Sequence, residues 1–365
     1  MIITPKHGYR EFDEWMKDKN KVLLVCGESI HYLGEFYKHI NNIKKQIVRF
    51  SDFQPNPSYE SVVNGVNVYC TEGCDCIIAV GGGSAIDVAK CIKLYANMPG
   101  NGADGSWLKE DVVLNDIPFL AMPTTAGSGS EVTRYAVIYY EGNKQSITSN
   151  SFIPQTVLMD PSALKTLPLY QKKATMCDAL CHAIESFWSV NSTEESKMYS
   201  RTAIHGIIEH MDGYFNNTDE GLAGMLMAAN TAGKAINITQ TTAGHAMCYK
   251  LTNLFGLAHG HAAIMCDMVL FSWMIRNVDK CIDLRGEDYL SKTLDEIGVV
   301  FGCNDAQGGV KKLIEIFRSL NLTIPKATIE QYQELKNSVN PIRLKNHPIA
   351  LDVEAIDKIY HEVLK

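Results

Sequence analysis

The run Cys76-Ile77-Ile78-Ala79-Val80 contains no polar residue and stops on Gly81-Gly82-Gly83. A short apolar run without alternation reads as a strand buried on both faces, the kind found in a parallel sheet covered by helices. The three glycines and the amphipathic stretch after them, Ser84-Ala85-Ile86-Asp87-Val88-Ala89-Lys90, mark a turn directly into a helix. Similar runs at 22–27, 46–50 and 118–122, with a helical stretch at 29–40, extend the pattern. Strands alternating with helices predict an α/β domain built on a parallel sheet. A hairpin-like section is expected from Tyr135 to Tyr140 through Glu141-Gly142-Asn143 and on to 157–160.

Past Asp160-Pro161 the texture changes. Ala, Met, Leu and Ile recur at three- and four-residue spacing almost to Lys365, which predicts an all-helical second domain. The expected division is 1–163 for the α/β domain and 164–365 for the helical one. At 365 residues the chain is long enough for two cores.

The net charge of -7 argues against nucleic acid as a partner, since phosphate binding needs a basic face. No run has the length and apolarity of a membrane span, and the first fifteen residues lack the apolar core of a secretory signal. Eleven cysteines, an odd number without a framework spacing, read as reduced thiols and with the rest predict a cytoplasmic protein. Cys70, Cys74 and Cys76 cluster, but no second pair of ligands follows, so they are not expected to hold zinc. Cys177 and Cys181 are expected to fill packing space.

Glycines let a backbone approach a pyrophosphate closely, and free amides at a helix start favour anions. Gly82, Gly83 and Ser84 are therefore candidate phosphate contacts, with Asp87 placed to brace the turn. The spacing is not GxGxxG, so a Rossmann label does not apply. A second loop, 123–131, follows another strand and is dense in hydroxyls and glycines, Thr124 and Thr125 among them. The plain alternative for both is a tight, capped turn.

Asp178 and His182 lie four apart in a helical stretch and so project from one face. His245 and the segment His259-Gly260-His261 follow among small and apolar residues. Taken singly, these are a surface pair and core histidines. Taken together, one carboxylate and three imidazoles suit a borderline divalent ion such as Fe(II) or Zn(II). Beside a nicotinamide, such an ion acts as a Lewis acid on a carbonyl.

In this order the motifs resemble those of the iron-containing (group III) alcohol dehydrogenases, a family with dehydroquinate synthase-like and glycerol dehydrogenase relatives. The matching segments are 81–90, 123–133, Asp178-Ala-Leu-Cys-His182-Ala-Ile-Glu, Gly244-His245 and His259-Gly260. The resemblance runs from about residue 20 to the end. It implies a dehydroquinate synthase-like fold, an α/β nucleotide-binding domain followed by an all-α domain. It further implies metal ligation by Asp178, His182, His245 and His259, and NAD(H) or NADP(H) along Gly82, Gly83, Ser84, Thr124 and Thr125. Asn56 matches a loop near the cofactor, and Lys144 a lysine near the nicotinamide ribose. The family also implies a homo-oligomer.

Two departures stand out. Where many NAD-preferring members carry Asp at the end of the first strand, this chain has Gly27 followed by Glu28, which leaves the choice between NAD and NADP open. Where several members have a relay histidine, this chain has Tyr249, and His261 is the other candidate relay. The expected activity is interconversion of a small aldehyde and its alcohol. The stretch 242–252 with 259–262 is similar to the branch that reduces phosphonoacetaldehyde to 2-hydroxyethylphosphonate, where Lys250, Arg134 and His261 would face an anionic tail. Neutral aldehydes such as lactaldehyde or butyraldehyde, and a dehydroquinate synthase-like lyase, are the alternatives.

Overall fold

The computed structural model describes residues 1–5 and 8–365, which divide into two compact units, Met1–Leu167 and Pro168–Lys365. The first is built on six parallel strands: β1 (Ile2–Ile3), β2 (Lys21–Cys26), β3 (Gln46–Phe50), β4 (Cys76–Gly81), β5 (Phe119–Pro123) and β8 (Thr156–Leu158). Their order across the sheet is β1-β8-β5-β4-β2-β3. The polypeptide runs outward from β2 to β3, then crosses to the other side of β2 to lay down β4. The switch point therefore falls between β2 and β4, the place where α/β sheets open a crevice at their carboxyl ends.

Every residue of β4 is buried, as its composition requires. Ile77 and Ala79 enter one core with helices α3 (Tyr59–Glu72) and α4 (Gly83–Tyr95). Cys76, Ile78 and Val80 enter the opposite core with α1 (Arg10–Met16) and α2 (Gly34–Asn42). The helix expected over 29–40 is broken: a 3-10 turn at Glu28–Tyr32 precedes α2, and Gly34 at the junction takes φ 42°. The hairpin also differs from expectation. Strand β6 (Tyr135–Tyr140) pairs antiparallel with β7 (Asn143–Thr148) around Glu141 and Gly142, both at positive φ, while Val157 belongs to the parallel sheet. Two left-handed residues give the tight turn whose twist suits a hairpin, so the chain returns at once.

The second unit is helical. Its centre is α5 (Leu169–Trp188), buried at every residue from Met176 to Trp188, hence apolar on nearly all sides. Around it come α6 (Glu194–Phe215), α7 (Asp219–Thr239), α8 (Ala243–Phe255), α9 (His259–Arg276), α10 (Glu287–Val300), α11 (Ala306–Ser319), α12 (Ile329–Ser338), α13 (Pro341–Leu344) and α14 (Val353–Val363). Thr193 and Ser196 form a reciprocal capping box at the start of α6, and the Thr218 hydroxyl accepts from Gly221 N at the start of α7. All eleven cysteines are free, and Cys177 and Cys181 are buried in α5. Among the described residues, no helix is long and apolar enough to cross a membrane.

The hairpin of α6 and α7 depends on Gly221. A Cβ there would lie 2.1 Å from Gly213 C and 2.3 Å from Tyr214 N, both backbone atoms that cannot move aside. Gly221→Ala is expected to destabilise the protein by about 1–3 kcal/mol through overpacking. A thermal unfolding midpoint equal to that of the parent chain would contradict this account of the α6–α7 approach.

Candidate active site

The glycine loop occupies the carboxyl end of β4. Gly81 adopts φ 157°, and a Cβ on it would sit 2.6 Å from Ala85 Cβ, so the turn requires glycine. Gly82 is the N-cap of α4 and supplies no side-chain cap, and the first turn of α4 carries no acidic residue. The first amides of α4 thus present uncompensated positive dipole, a setting that favours an anion. The second loop packs alongside. Side chains on Gly82 and Gly83 would crowd Thr125 (3.3 Å) and Ser128 (3.1 Å), and Thr124 N donates to Gly81 O at 3.0 Å. Gly82, Gly83, Ser84, Thr124 and Thr125 are in this way drawn together.

Asp87 and Lys90 hold these loops from behind. Asp87 Oδ1 accepts from the Ser130 hydroxyl at 2.5 Å and Oδ2 from Val137 N at 3.0 Å, so one oxygen holds the second loop and the other the strand β6 that follows it. Lys90 Nζ, fully buried, donates to Ser130 Oγ, Thr133 Oγ1 and Tyr135 O at 3.0, 3.2 and 2.7 Å. Burial lowers the Lys90 ammonium to about 8, against the opposing pull of Asp87 and Glu131. Sequence reasoning quoted Lys90 only as part of the motif. Asn56 is exposed with φ 60°, and Lys144 lies on β7 opposite Tyr139. At the end of β2, Gly27 O accepts from Arg49 Nη2 at 3.2 Å, and the same nitrogen donates to Glu28 Oε1 at 2.9 Å.

The second group of candidates lies within the helical unit. Asp178 on α5, His245 on α8 and His259 on α9 bring their ligand atoms within 4.8 Å of one another. Asp178 Oδ1 stands 3.4 Å from His245 Nε2 and 4.0 Å from His259 Nε2. Two atoms each bound to one ion at ~2.1 Å and a tetrahedral angle are ~3.4 Å apart, so the spacing suits a shared divalent cation. Asp178 Oδ1 and His245 Nε2 are buried and make no regular hydrogen bond, a costly state that a bound cation would relieve. Burial raises the Asp178 carboxyl, but the His182, His245 and His259 imidazoles outweigh it and hold it well below the usual range. His182 lies outside this trio, its ring stacked on His245 at 4.6 Å between centroids and 17° between planes.

Two glycines let the helices converge. A Cβ on Gly260 would strike Ala174 O at 2.0 Å and Asp178 N at 2.5 Å, so glycine allows α9 to start against α5 beside Asp178. A Cβ on Gly244 would strike Asp267 Oδ1 at 1.9 Å and Glu185 Oε1 at 2.9 Å. The glycine next to each histidine is thus a packing requirement.

Glu185 was not foreseen as a site residue. Completely buried on α5, its carboxylate accepts from Thr242 N (2.5 Å), Thr242 Oγ1 (2.6 Å) and His245 N (3.1 Å), and contacts His245 Nδ1. It therefore caps the start of α8 from another helix and fixes the imidazole with Nε2 toward Asp178. Burial would lower the His245 imidazole, but the Glu185 and Asp178 carboxylates push it up to about 10. The signal for Glu185 was its place three residues past His182 and seven past Asp178, on the same helical face. Cys248, also missed, brings Sγ to 3.5 Å from His259 Nδ1.

The two relay candidates part company. Tyr249 stacks on His259 (5.2 Å, 23°). His261 is buried, with Nδ1 3.1 Å from Tyr170 Oη and its ring against Phe317, and burial lowers its pKa. Of the cations expected for an anionic tail, Lys250 is paired with Glu334, and Arg134 Nε donates to Tyr135 Oη at 3.1 Å.

Comparison with known proteins identifies the family of both units. Residues 1–161 match the family model described as iron-containing alcohol dehydrogenase, and residues 172–363 match the Fe-containing alcohol dehydrogenase family, C-terminal. Aldehyde-alcohol dehydrogenase 2 of Entamoeba histolytica is 32% identical over 75% of this chain, which spans only 33% of that longer protein. Phosphonoacetaldehyde reductase of Streptomyces viridochromogenes is 29% identical over 79% of this chain and 76% of its own. The structure of sulfoacetaldehyde reductase from Bifidobacterium kashiwanohense in complex with NAD+ superposes with a TM-score of 0.87 at 25% identity, covering 100% of this chain and 97% of that one.

Glu185→Gln is expected to weaken Fe(II) or Zn(II) binding by about 10–100-fold, since it loosens the partner that orients His245. Chelator competition followed by elemental analysis measures this, and unchanged affinity in a folded variant would sink the orienting role.

Proposed function

The chain belongs to the iron-containing alcohol dehydrogenase family, and on that premise we propose that it reduces a small aldehyde with hydride from a nicotinamide cofactor at a divalent-metal centre. The observation that carries the reading is the convergence of buried Asp178 and His245 with half-buried His259, with Glu185 behind them. Asp178, His245 and His259 would hold Fe(II) or Zn(II), with His182, stacked on His245, as the fourth candidate ligand. When bound there, the ion supplies Lewis acidity to a carbonyl oxygen and to the alkoxide in reverse.

The chain's own residues supply the rest. The amides at the start of α4 and the hydroxyls of Ser84, Thr124 and Thr125 receive the pyrophosphate of NAD(H) or NADP(H). The end of β2, at Gly27 and Glu28, receives the adenosine ribose, with Asn56 and Lys144 as further cofactor contacts. Glu185 keeps the His245 proton on Nδ1 and Nε2 available to the metal. Tyr249, stacked on His259, is the residue best placed to pass a proton to the product oxygen, whereas His261 is committed to Tyr170.

A narrower reading, phosphonoacetaldehyde to 2-hydroxyethylphosphonate, draws support from two relatives named for aldehydes with acidic tails. The pairing of Lys250 with Glu334 weighs on the other side, because it removes one cation from those expected to meet such a tail. Cofactor oxidation by metal-reconstituted protein with phosphonoacetaldehyde, lactaldehyde and butyraldehyde separates the readings. Strong preference for the phosphonate supports the narrower one, and broad turnover favours neutral aldehydes. His259→Ala is expected to lower kcat/KM at least ~100-fold, equivalent to roughly 3 kcal/mol of lost stabilisation. No oxidation with any metal or aldehyde would overturn the proposal.

A further inference from the structure

Helix α9 starts without a cap of its own. Ala258 stands at its N-cap with no side-chain oxygen, and its first turn, His259-Gly260-His261, carries no acidic residue. The oxygen comes from another helix. Tyr170, in the first turn of α5, accepts from Ala258 N at 2.9 Å, and the same Oη lies 3.1 Å from Nδ1 of the buried His261. With one lone pair given to the amide, the hydroxyl proton is available to Nδ1. A single oxygen thus joins the residue before His259 to the residue two after it. The Tyr170 and His261 rings also meet edge-on, 5.9 Å between centroids and 77° between planes.

Tyr170, Ala174 and Asp178 follow one another at four-residue steps and share a face of α5. Gly260 presses against the middle of that face, where a Cβ would meet Ala174 O and Asp178 N. Asp178 Oδ1 and His259 Nε2 then stand 4.0 Å apart. We propose that Tyr170 is a positioning residue for the metal ligand His259: its hydroxyl caps α9 from α5 and so fixes where His259 meets Asp178. This rests on the reading that Asp178, His245 and His259 hold a divalent ion. Glu185 already fixes His245 through its backbone amide and its ring. His259 instead follows a three-residue connection from α8 that includes Gly256 at φ 64°, so the start of α9 is the point that needs an anchor.

Zn(II) affinity, from competition with a chromophoric chelator, tests this in the parent chain, Tyr170→Phe, His259→Ala and Tyr170→Phe/His259→Ala. Tyr170→Phe keeps the ring and removes only the hydroxyl, and it is expected to weaken Zn(II) binding by about 10-fold. In the His259→Ala background the same change is expected to alter affinity by less than about 2-fold, because Tyr170 acts through that ligand. In the metal-free protein, Tyr170→Phe is expected to quicken amide hydrogen exchange by about 10-fold at Ala258 and Ala262, whose amides donate to Tyr170 Oη and Ala258 O. Unchanged affinity in Tyr170→Phe, an equal loss with and without His259, or unchanged exchange at Ala258 would each overturn the proposal. Failure of the parent chain to bind Zn(II) would instead remove the metal centre itself, and this inference with it.

Discussion

The contact between Glu185 and His245 is the constraint around which the helical unit is arranged. A carboxylate with no exposure is expensive unless every lone pair is used. Here the Thr242 amide and hydroxyl, the His245 amide and the His245 imidazole use them. The same four contacts end the loop before α8, stabilise the positive end of that helix and choose which imidazole nitrogen faces Asp178. Fold stability and ligand orientation are therefore one interaction, and neither can be altered without the other.

Convergence of three helices on Asp178 follows from chain thickness as much as from polarity. Gly260 lets the start of α9 lie against the backbone of α5, and Gly244 lets the start of α8 lie against the Asp267 and Glu185 carboxylates, where any side chain would clash. In the α/β unit the same logic operates with charge added. Asp87 and Lys90 tie α4 to the second loop and to β6 from the buried side. In both places buried charge holds the candidate groups from behind.

Much of this was legible in the residues. The apolar run of β4, its glycine stop, the change of texture after Asp160 and the four-residue spacing of Asp178 and His182 rest on local periodicity, and each appears in the structure. What escaped was tertiary. Glu185 was quoted within a motif, yet capping a helix 57 residues away leaves no local mark. The two-residue strand β1 is too short for any pattern and exists because β8 offers an edge. The break at Gly34 and the early return of the hairpin are positive-φ events, which residue type hints at only through glycine. The stacking of His182 on His245 depends on interhelical distance, which sequence spacing does not report.

X-ray absorption at the metal edge of Fe(II)- or Zn(II)-loaded protein tests the central claim most directly, because it reads the ligand atoms themselves. The account predicts a first shell of nitrogen and oxygen at about 2.0–2.2 Å with the outer-shell scattering of at least two imidazoles. A sulfur scatterer near 2.3 Å would contradict it, since that would place Cys248 or another thiolate in the ligand set and displace the Asp178, His245 and His259 group.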